Sequence, residues 1–255
     1  MEWTDRGIVL GVRKHGETSV IAELMTRDHG RHLGLVQGGR SRTQRPILQP
    51  GNSVQAVWRA RLDEHLGQFK LEPQDLRAAR LMQVPHSIFA LQTLASHLRL
   101  LPERDAHTGL FEMLNVVLDN LEEPDIAGEL VVRFEQAVLE ELGFGLDLTR
   151  CAATGQSDDL THVSPKSGKA VSRAAAAPYL DQLLRLPPFM KGHEGGKVLH
   201  APLPDVVDGF VLTGYFLDRH VYAPRGVEPP SERGSLTKAI EKAMRAAQDN
   251  GEDRQ

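Results

Sequence analysis

The chain holds a single cysteine, Cys151, among 255 residues. No intrachain disulfide can form, and a zinc site built from four thiolates is excluded. Aromatic residues are scarce, eight Phe, three Tyr and two Trp, so the core must be built mostly from Leu, Val, Ile and Ala. No uninterrupted apolar run reaches the ~18 residues needed to cross a membrane. The opening Met1-Glu2-Trp3-Thr4-Asp5 is acidic and lacks the basic and apolar regions of a secretory signal. These absences point to a cytoplasmic globular chain with no membrane partner.

Catalytic signatures are missing too. There is no Gly-x-x-x-x-Gly-Lys-Ser/Thr phosphate loop, no Gly-x-Gly-x-x-Gly fingerprint and no Gly-x-Ser-x-Gly elbow. Residues 192 to 196 are glycine-rich between Lys191 and Lys197, but in the wrong order for a phosphate loop. Glu140 and Glu141 are adjacent, and helical neighbours point about 100° apart, so they cannot share one reacting atom. Cys151 and His162 have no orienting residue or oxyanion donor, which favours an inert cysteine. The run Asp28-His29-Gly30-Arg31-His32 sets cations beside its two His. That disfavours a metal and favours a turn with solvated or phosphate-facing imidazoles. We expect no enzyme, no cofactor and no metal.

Positive charge is present, concentrated in one region. The first 62 residues carry ten Lys and Arg against five acids, a balance of +5, while the remaining 193 carry 20 against 29, a balance of −9. Such asymmetry is the footprint of a nucleic-acid surface joined to a body that meets other partners. Its densest part is Gln37-Gly38-Gly39-Arg40-Ser41-Arg42-Thr43-Gln44-Arg45. The glycines permit positive φ and close approach of backbone N–H groups to phosphate, and each guanidinium offers a planar fork to phosphate oxygens. Arg13 and Lys14 end the first strand, where a barrel would carry them to the same rim. Trp3, Trp58 and Phe69 are the only rings placed for stacking, and Trp58 alternates in phase with Val54 and Ala56, as a core residue does. Backbone electrostatics should therefore dominate over base stacking.

Two periods organise the chain. Residues 7 to 12, 19 to 25, 31 to 37, 53 to 59 and 67 to 71 read as strands separated by glycine turns. Five short strands in about 75 residues suggest a closed oligonucleotide-binding (OB) barrel. Beyond Pro73 the spacing becomes helical. Pro85 opens a helix that Pro102 closes; Leu110, Phe111, Leu114, Val117, Leu118 and Leu121 mark a second. Asp125 is expected to cap a third, with Ile126, Leu130, Phe134, Val138 and Leu142 inward and Gly143 as its stop. Residues 151 to 173 read as a polar loop, 174 to 186 as a helix broken by Pro178, 206 to 221 as a helix weakened by Gly214, and 236 to 247 as a modest final helix before a frayed end. The expected fold is α+β. An OB-fold nucleic-acid-binding domain spans 1–80, and a helical domain spans 81–230 with an irregular insertion over about 147–175. A C-terminal tail with a short helix covers 231–255.

Gly7-Ile8-Val9-Leu10, Arg13, Gly16-Glu17-x-Ser19, Leu24-x-Thr26, Gly30 and Gln37-Gly38-Gly39-Arg40-Ser41 lead to Leu48-Gln49-Pro50-Gly51. This order resembles the N-terminal barrel of RecO, the bacterial recombination and repair family. Leu101-Pro102-Glu103, Arg133-Phe134-Glu135 and Leu142-Gly143-Phe144 fit that family's helical domain. The resemblance implies a non-catalytic recombination mediator of DNA damage repair and the SOS response. Such a protein binds single- and double-stranded DNA, anneals complementary strands, engages the acidic tail of single-strand-binding protein, and acts with RecR to load RecA at gaps. It implies DNA contacts for Arg13, Lys14, Arg40, Arg42 and Arg45, with Arg27 and Arg31 beside them, and a nucleoid-associated location. The tail would need an apolar groove rimmed by Arg or Lys, for which Arg99, Arg104 and Arg133 are candidates. Many members hold zinc through two cysteine pairs. Here Thr154 stands in the second ligand position and residues 168 to 175 hold no sulfur, which implies no zinc. The alternative reading is an RNA-binding barrel acting in translation or RNA maturation.

Overall fold

The computed structural model describes residues 1–191 and 200–252, with side chains to 247. The glycine-rich stretch at 192 to 196 lies outside the described residues. The chain divides into two compact units, Met1–Asp119 and Asn120–Gln255.

The first unit begins with β1 (Glu2–His15), β2 (Ser19–Thr26), β3 (Gly30–Val36), β4 (Ser53–Arg59) and β5 (Gln68–Asp75). They close into a barrel in the order β1-β2-β3-β5-β4, so the five strands expected from alternation form the OB-type barrel. β1 is long because it serves two neighbours: Glu2 to Ile8 pair with β4 and Gly7 to His15 with β2, with a register shift between Val9 and Gly11. Such a shift bends a strand enough to turn it around a small barrel. Val9, Leu24, Val36, Leu48, Val54, Trp58, Phe69 and Leu71 fill the interior. Trp58 is fully buried and donates its indole N–H to the Leu66 carbonyl at 3.0 Å, so the ring adds apolar area without an unpaired donor.

The same unit continues through α1 (Ala78–Leu81), α2 (Pro85–Leu98) and α3 (Thr108–Asp119). It therefore extends past residue 80, where the change of period alone suggests a boundary. Buried Arg77 explains the attachment: it pairs with Asp75 at 3.1 Å and with Asp119 at 3.2 Å, and donates to Ser53 Oγ at 2.9 Å. Asn52 Oδ1 also accepts the Ala78 N–H at 2.9 Å. The predicted α3 stripe is buried at Leu110, Phe111, Leu114, Val117 and Leu118, and Leu121 beyond it is buried as well.

The second unit contains α4 (Pro124–Glu141), β6 (Leu160–Val163), β7 (Ala170–Ser172), α5 (Arg173–Ala176), β8 (Leu184–Arg185), α6 (Leu203–Leu217) and α7 (Ser231–Glu252). Asp125 is not the α4 cap. Glu123 holds that position in an extended conformation and Pro124 opens the helix, its missing N–H costing nothing there. The stretch expected as a loop over 151 to 173 supplies β6 and β7 of a three-stranded sheet, β7-β6-β8, whose third strand comes from the stretch expected as a helix. Its strands are two to four residues long, too short for a visible alternation, and buried Leu160, Val163 and Ala170 hold it. The helix expected over 174 to 186 is only α5 and a 3-10 segment, Ala177–Gln182, before the chain extends into β8. α7 is longer at both ends than the stripe suggests, and Leu236, Ile240 and Met244 are its buried face.

Candidate nucleic-acid interface

The arginine loop is fixed in place by the hairpin beside it. Gly38 adopts φ +63°, which turns the chain at the end of β3. Gly39 lies against the barrel, where a Cβ would meet Val20 Cγ2 at 2.6 Å, so one glycine is needed for conformation and the other for space. Arg40 N–H donates to the Thr18 carbonyl at 3.0 Å, and its guanidinium donates to the carbonyls of Gly16 and Glu17. Ser41 Oγ accepts the Gln44 N–H at 3.3 Å and Arg45 N–H bonds the Ser41 carbonyl at 3.1 Å, giving a helical turn. Buried Leu48 anchors the loop from below, and Asn52 Nδ2 donates to the Pro46 carbonyl at 2.7 Å.

Arg13, Lys14, Arg40, Arg42 and Arg45 are all exposed. Lys14, Arg40 and Arg45 line one cleft of about 380 Å³ with Val12, Val20 and Gln49. Strand alternation sends Arg13 the other way, into an adjoining cleft of about 290 Å³ with Ile21, Leu33 and Arg99. The two residues thus serve neighbouring clefts that share Val12 rather than one surface. Among the described residues none of the five makes an ion pair with a carboxylate.

Arg27 and Arg31 have a different environment. Arg27 Nε donates to Glu112 at 2.8 Å and its Nη1 to Asp28 at 3.0 Å. The bond to Glu112 holds that guanidinium above its ordinary pKa. Arg31 is largely covered and bonds Glu23 at 3.0 Å and Glu103 at 3.4 Å. The tail candidates are engaged as well: Arg99 with Glu23 at 2.7 Å, and Arg133 with fully buried Glu129 at 2.7 Å. Arg104 donates to the carbonyls of Asp63 and His65 with its guanidinium over the Trp58 ring. Of the two histidines of the 28–32 run, His32 is buried rather than solvated, while His29 stays partly exposed and is held by its neighbours. His29 stacks on Trp3 at 4.2 Å and bonds Asp5, while His32 is buried among Trp3, Trp58 and Phe69. Trp3 is thereby consumed inside an aromatic cluster.

The zinc position does not fit zinc. Cys151 Sγ bonds Ser172 Oγ at 3.4 Å and accepts the Ser172 N–H at 3.2 Å. One sulfur beside hydroxyls falls short of the four nitrogen or sulfur donors a structural zinc takes. Among the described residues no group of three or more His, Cys, Asp or Glu could hold a metal. No described helix is long and apolar enough to cross a membrane.

A closed five-stranded barrel with a cationic rim, continued by helices, is the architecture of an OB-barrel protein. The chain belongs to the RecO family. The family description "Recombination protein O N terminal" matches residues 1–75 and "Recombination protein O C terminal" matches 90–228. DNA repair protein RecO of Mesorhizobium japonicum is 59% identical over 242 residues, covering 95% of this chain and 94% of that protein. DNA repair protein RecO of Rhizobium etli is 58% identical over 247 residues (97% and 95%), and that of Sinorhizobium medicae 57% over 247 (97% and 98%). The chain accordingly has a role in DNA repair and recombination.

Proposed function

We propose that the chain is a cytoplasmic, non-catalytic mediator. It binds single- and double-stranded DNA on the barrel rim, anneals complementary strands, and works with RecR to load RecA on gaps covered by single-strand-binding protein. One observation supports this above the rest: Arg13, Lys14, Arg40, Arg42 and Arg45 are exposed with no carboxylate partner among the described residues, whereas Arg27, Arg31 and Arg99 of the same unit are paired. An unpaired guanidinium meets phosphate without first giving up an ion pair. Two strands repel each other, and protein cations that neutralise both let base pairing proceed.

Salt titration of single-stranded DNA binding by fluorescence anisotropy tests the reading. Arg40→Ala/Arg42→Ala/Arg45→Ala should weaken binding and reduce the slope of log K against log salt by about 2, three contacts at about 0.7 each. An unchanged slope would exclude the rim. Competition with matched RNA separates the translation reading, which requires RNA to displace DNA efficiently.

For the acidic tail of single-strand-binding protein, a better fit than Arg99, Arg104 or Arg133 is a groove in the second unit. Val207, Phe210, Val211, Leu217 and Pro229 line an apolar cleft of about 390 Å³. At Glu241 it adjoins the α7 face bearing Lys238, Lys242 and Arg245. Apolar end and acidic stretch would each find a complement. Val211→Glu and Lys238→Glu/Lys242→Glu should each abolish tail-peptide binding to the full chain; full binding by both variants would remove the groove.

A further inference from the structure

The barrel carries a second set of cations that the rim does not use. Across neighbouring strands Glu2 lies opposite Arg59 and Arg59 opposite Gln68, while Thr4 lies opposite Val57 and Val57 opposite Lys70. Alternation turns this set outward, and Glu2, Arg59, Gln68 and Lys70 are exposed. The β4–β5 loop adds Arg61 and His65, and the whole encloses a groove of about 780 Å³, about twice the cleft at Lys14 and Arg40.

The groove is built, and three cations stand on its lining, with Asp63 and Glu64 on the same β4–β5 loop. Arg104, held at φ +66°, bonds the loop carbonyls of Asp63 and His65, so the loop carrying Arg61 has a fixed seat. Arg59, Arg61 and Lys70 face one lining carboxylate, Glu2. The pairs Arg59–Glu2 at 2.7 Å and Lys70–Glu72 at 3.2 Å are more than half exposed at every side chain, and such pairs yield readily to a phosphate. Arg61 makes no ion pair among the described residues.

We propose that this groove holds a second nucleic-acid strand, an inference that rests on the rim binding the first. Glu2 and Lys14 stand at opposite ends of β1, at most about 40 Å apart along the strand at ~3.3 Å per residue. Each strand so placed meets its own set of cations, which neutralises its phosphates there. The two strands do not repel at the protein, yet their free flanks share a local concentration in the millimolar range, as for tethered partners. Annealing then becomes an encounter on one chain.

The test uses the full-length chain, under conditions where light scattering gives one chain per complex. Donor- and acceptor-labelled, non-complementary oligothymidylates of about 15 nucleotides, within the ~4–16 that one barrel covers, should show energy transfer when both are bound. Arg59→Ala/Arg61→Ala/Lys70→Ala should keep first-strand affinity within about twofold, lose the energy transfer and anneal about tenfold more slowly. Arg61→Ala alone, at an exposed loop position, should give about a threefold slowing with an unchanged melting temperature. Undiminished energy transfer and annealing in the triple variant, with binding lost in the rim variant, would overturn the second site alone. Full binding in the rim variant would instead overturn the reading beneath it. If the triple variant kept both strands but lost an acidic peptide, the groove would belong to a protein partner and the inference would fall.

Discussion

Arg99, just beyond the end of α2, closes on Glu23 of β2: its Nη2 lies 2.7 Å from Glu23 Oε2 and its Nε 2.9 Å from the same oxygen. Arg31 reaches the other oxygen at 3.0 Å, so one carboxylate bridges two guanidinium groups within the first unit. Glu23→Ala leaves Arg31 covered and unpaired at Glu23, and it should cost about 3 kcal/mol. Arg31→Ala should cost a comparable amount while leaving the salt slope of DNA binding within error, since a guanidinium committed to a carboxylate releases few counterions on binding. Urea unfolding and salt titration of the same variants measure both quantities. A reduced salt slope with unchanged stability would return Arg31 to the DNA-contact set.

His32 makes the stability of the barrel pH-dependent. Its ring is 4.8 Å from Trp58 and 5.1 Å from Trp3, and neither nitrogen has a hydrogen-bond partner among the described residues. Burial, and then the charge of Arg104, pushes its pKa down to about 4. Above the unfolded value of about 6.5 the ring is neutral in both states and the effect is absent. As pH falls through the window from 6.5 to 4 the unfolded chain takes up a proton that the folded chain refuses, so stability falls, by about 3 kcal/mol at full extent. His32→Leu should flatten this dependence. Equal slopes of unfolding free energy between pH 7 and 4.5 in both proteins would disprove it.

Cys151 supplies a test of the metal-free insertion. The strands β6 to β8 and the Cys151–Ser172 bonds hold the segment without four metal ligands. Chelator-washed protein should therefore contain far less than one zinc per chain and keep its melting temperature when chelator is added. Cys151→Ala should cost about 1 to 2 kcal/mol through the hydrogen bonds and volume lost. Near-stoichiometric zinc after washing, or melting that depends on zinc, would contradict the donor count.

The barrel strands and the three helices after Pro85 were legible because each has a clear period and a glycine or proline stop. The clustering of Arg40, Arg42 and Arg45 was legible because they lie within six residues, and all three are exposed. Other features had no local signal. Arg27 meets Glu112 across 85 residues and Arg31 meets Glu103 across 72, and counting charges along a chain cannot tell a paired guanidinium from an unpaired one. The sheet β7-β6-β8 joins segments too short for alternation to show, and the alanine run at 174 to 177 favours a helix until Pro178 removes a donor. Cations at Arg59, Arg61 and Lys70 become a group only once the register sets β4 beside β5.

Glycine is unfavourable inside a helix, and the second unit shows why Gly214 stands in α6. A Cβ at that position would meet Arg233 Nη1 at 2.6 Å. The space admits a guanidinium whose Nε bonds Glu135 Oε1 at 2.7 Å, and whose Nη2 bonds Glu135 Oε2 at 2.9 Å and the Phe210 carbonyl at 2.6 Å. Glu135 is fully buried on α4, so Arg233 of α7 balances a charge that water cannot reach. Removing either partner strands the other, and Glu135→Ala or Arg233→Ala should each cost about 3 to 5 kcal/mol. The apolar pair Glu135→Leu/Arg233→Met should be more stable than either single variant, because no buried charge is left unmatched. Gly214→Ala should destabilise by displacing the guanidinium, despite the higher helix propensity of alanine. A double-mutant cycle from denaturant melts decides the matter: simple additivity of the two single losses would mean that the pair is not coupled and that α7 is held by its Leu236, Ile240 and Met244 face alone.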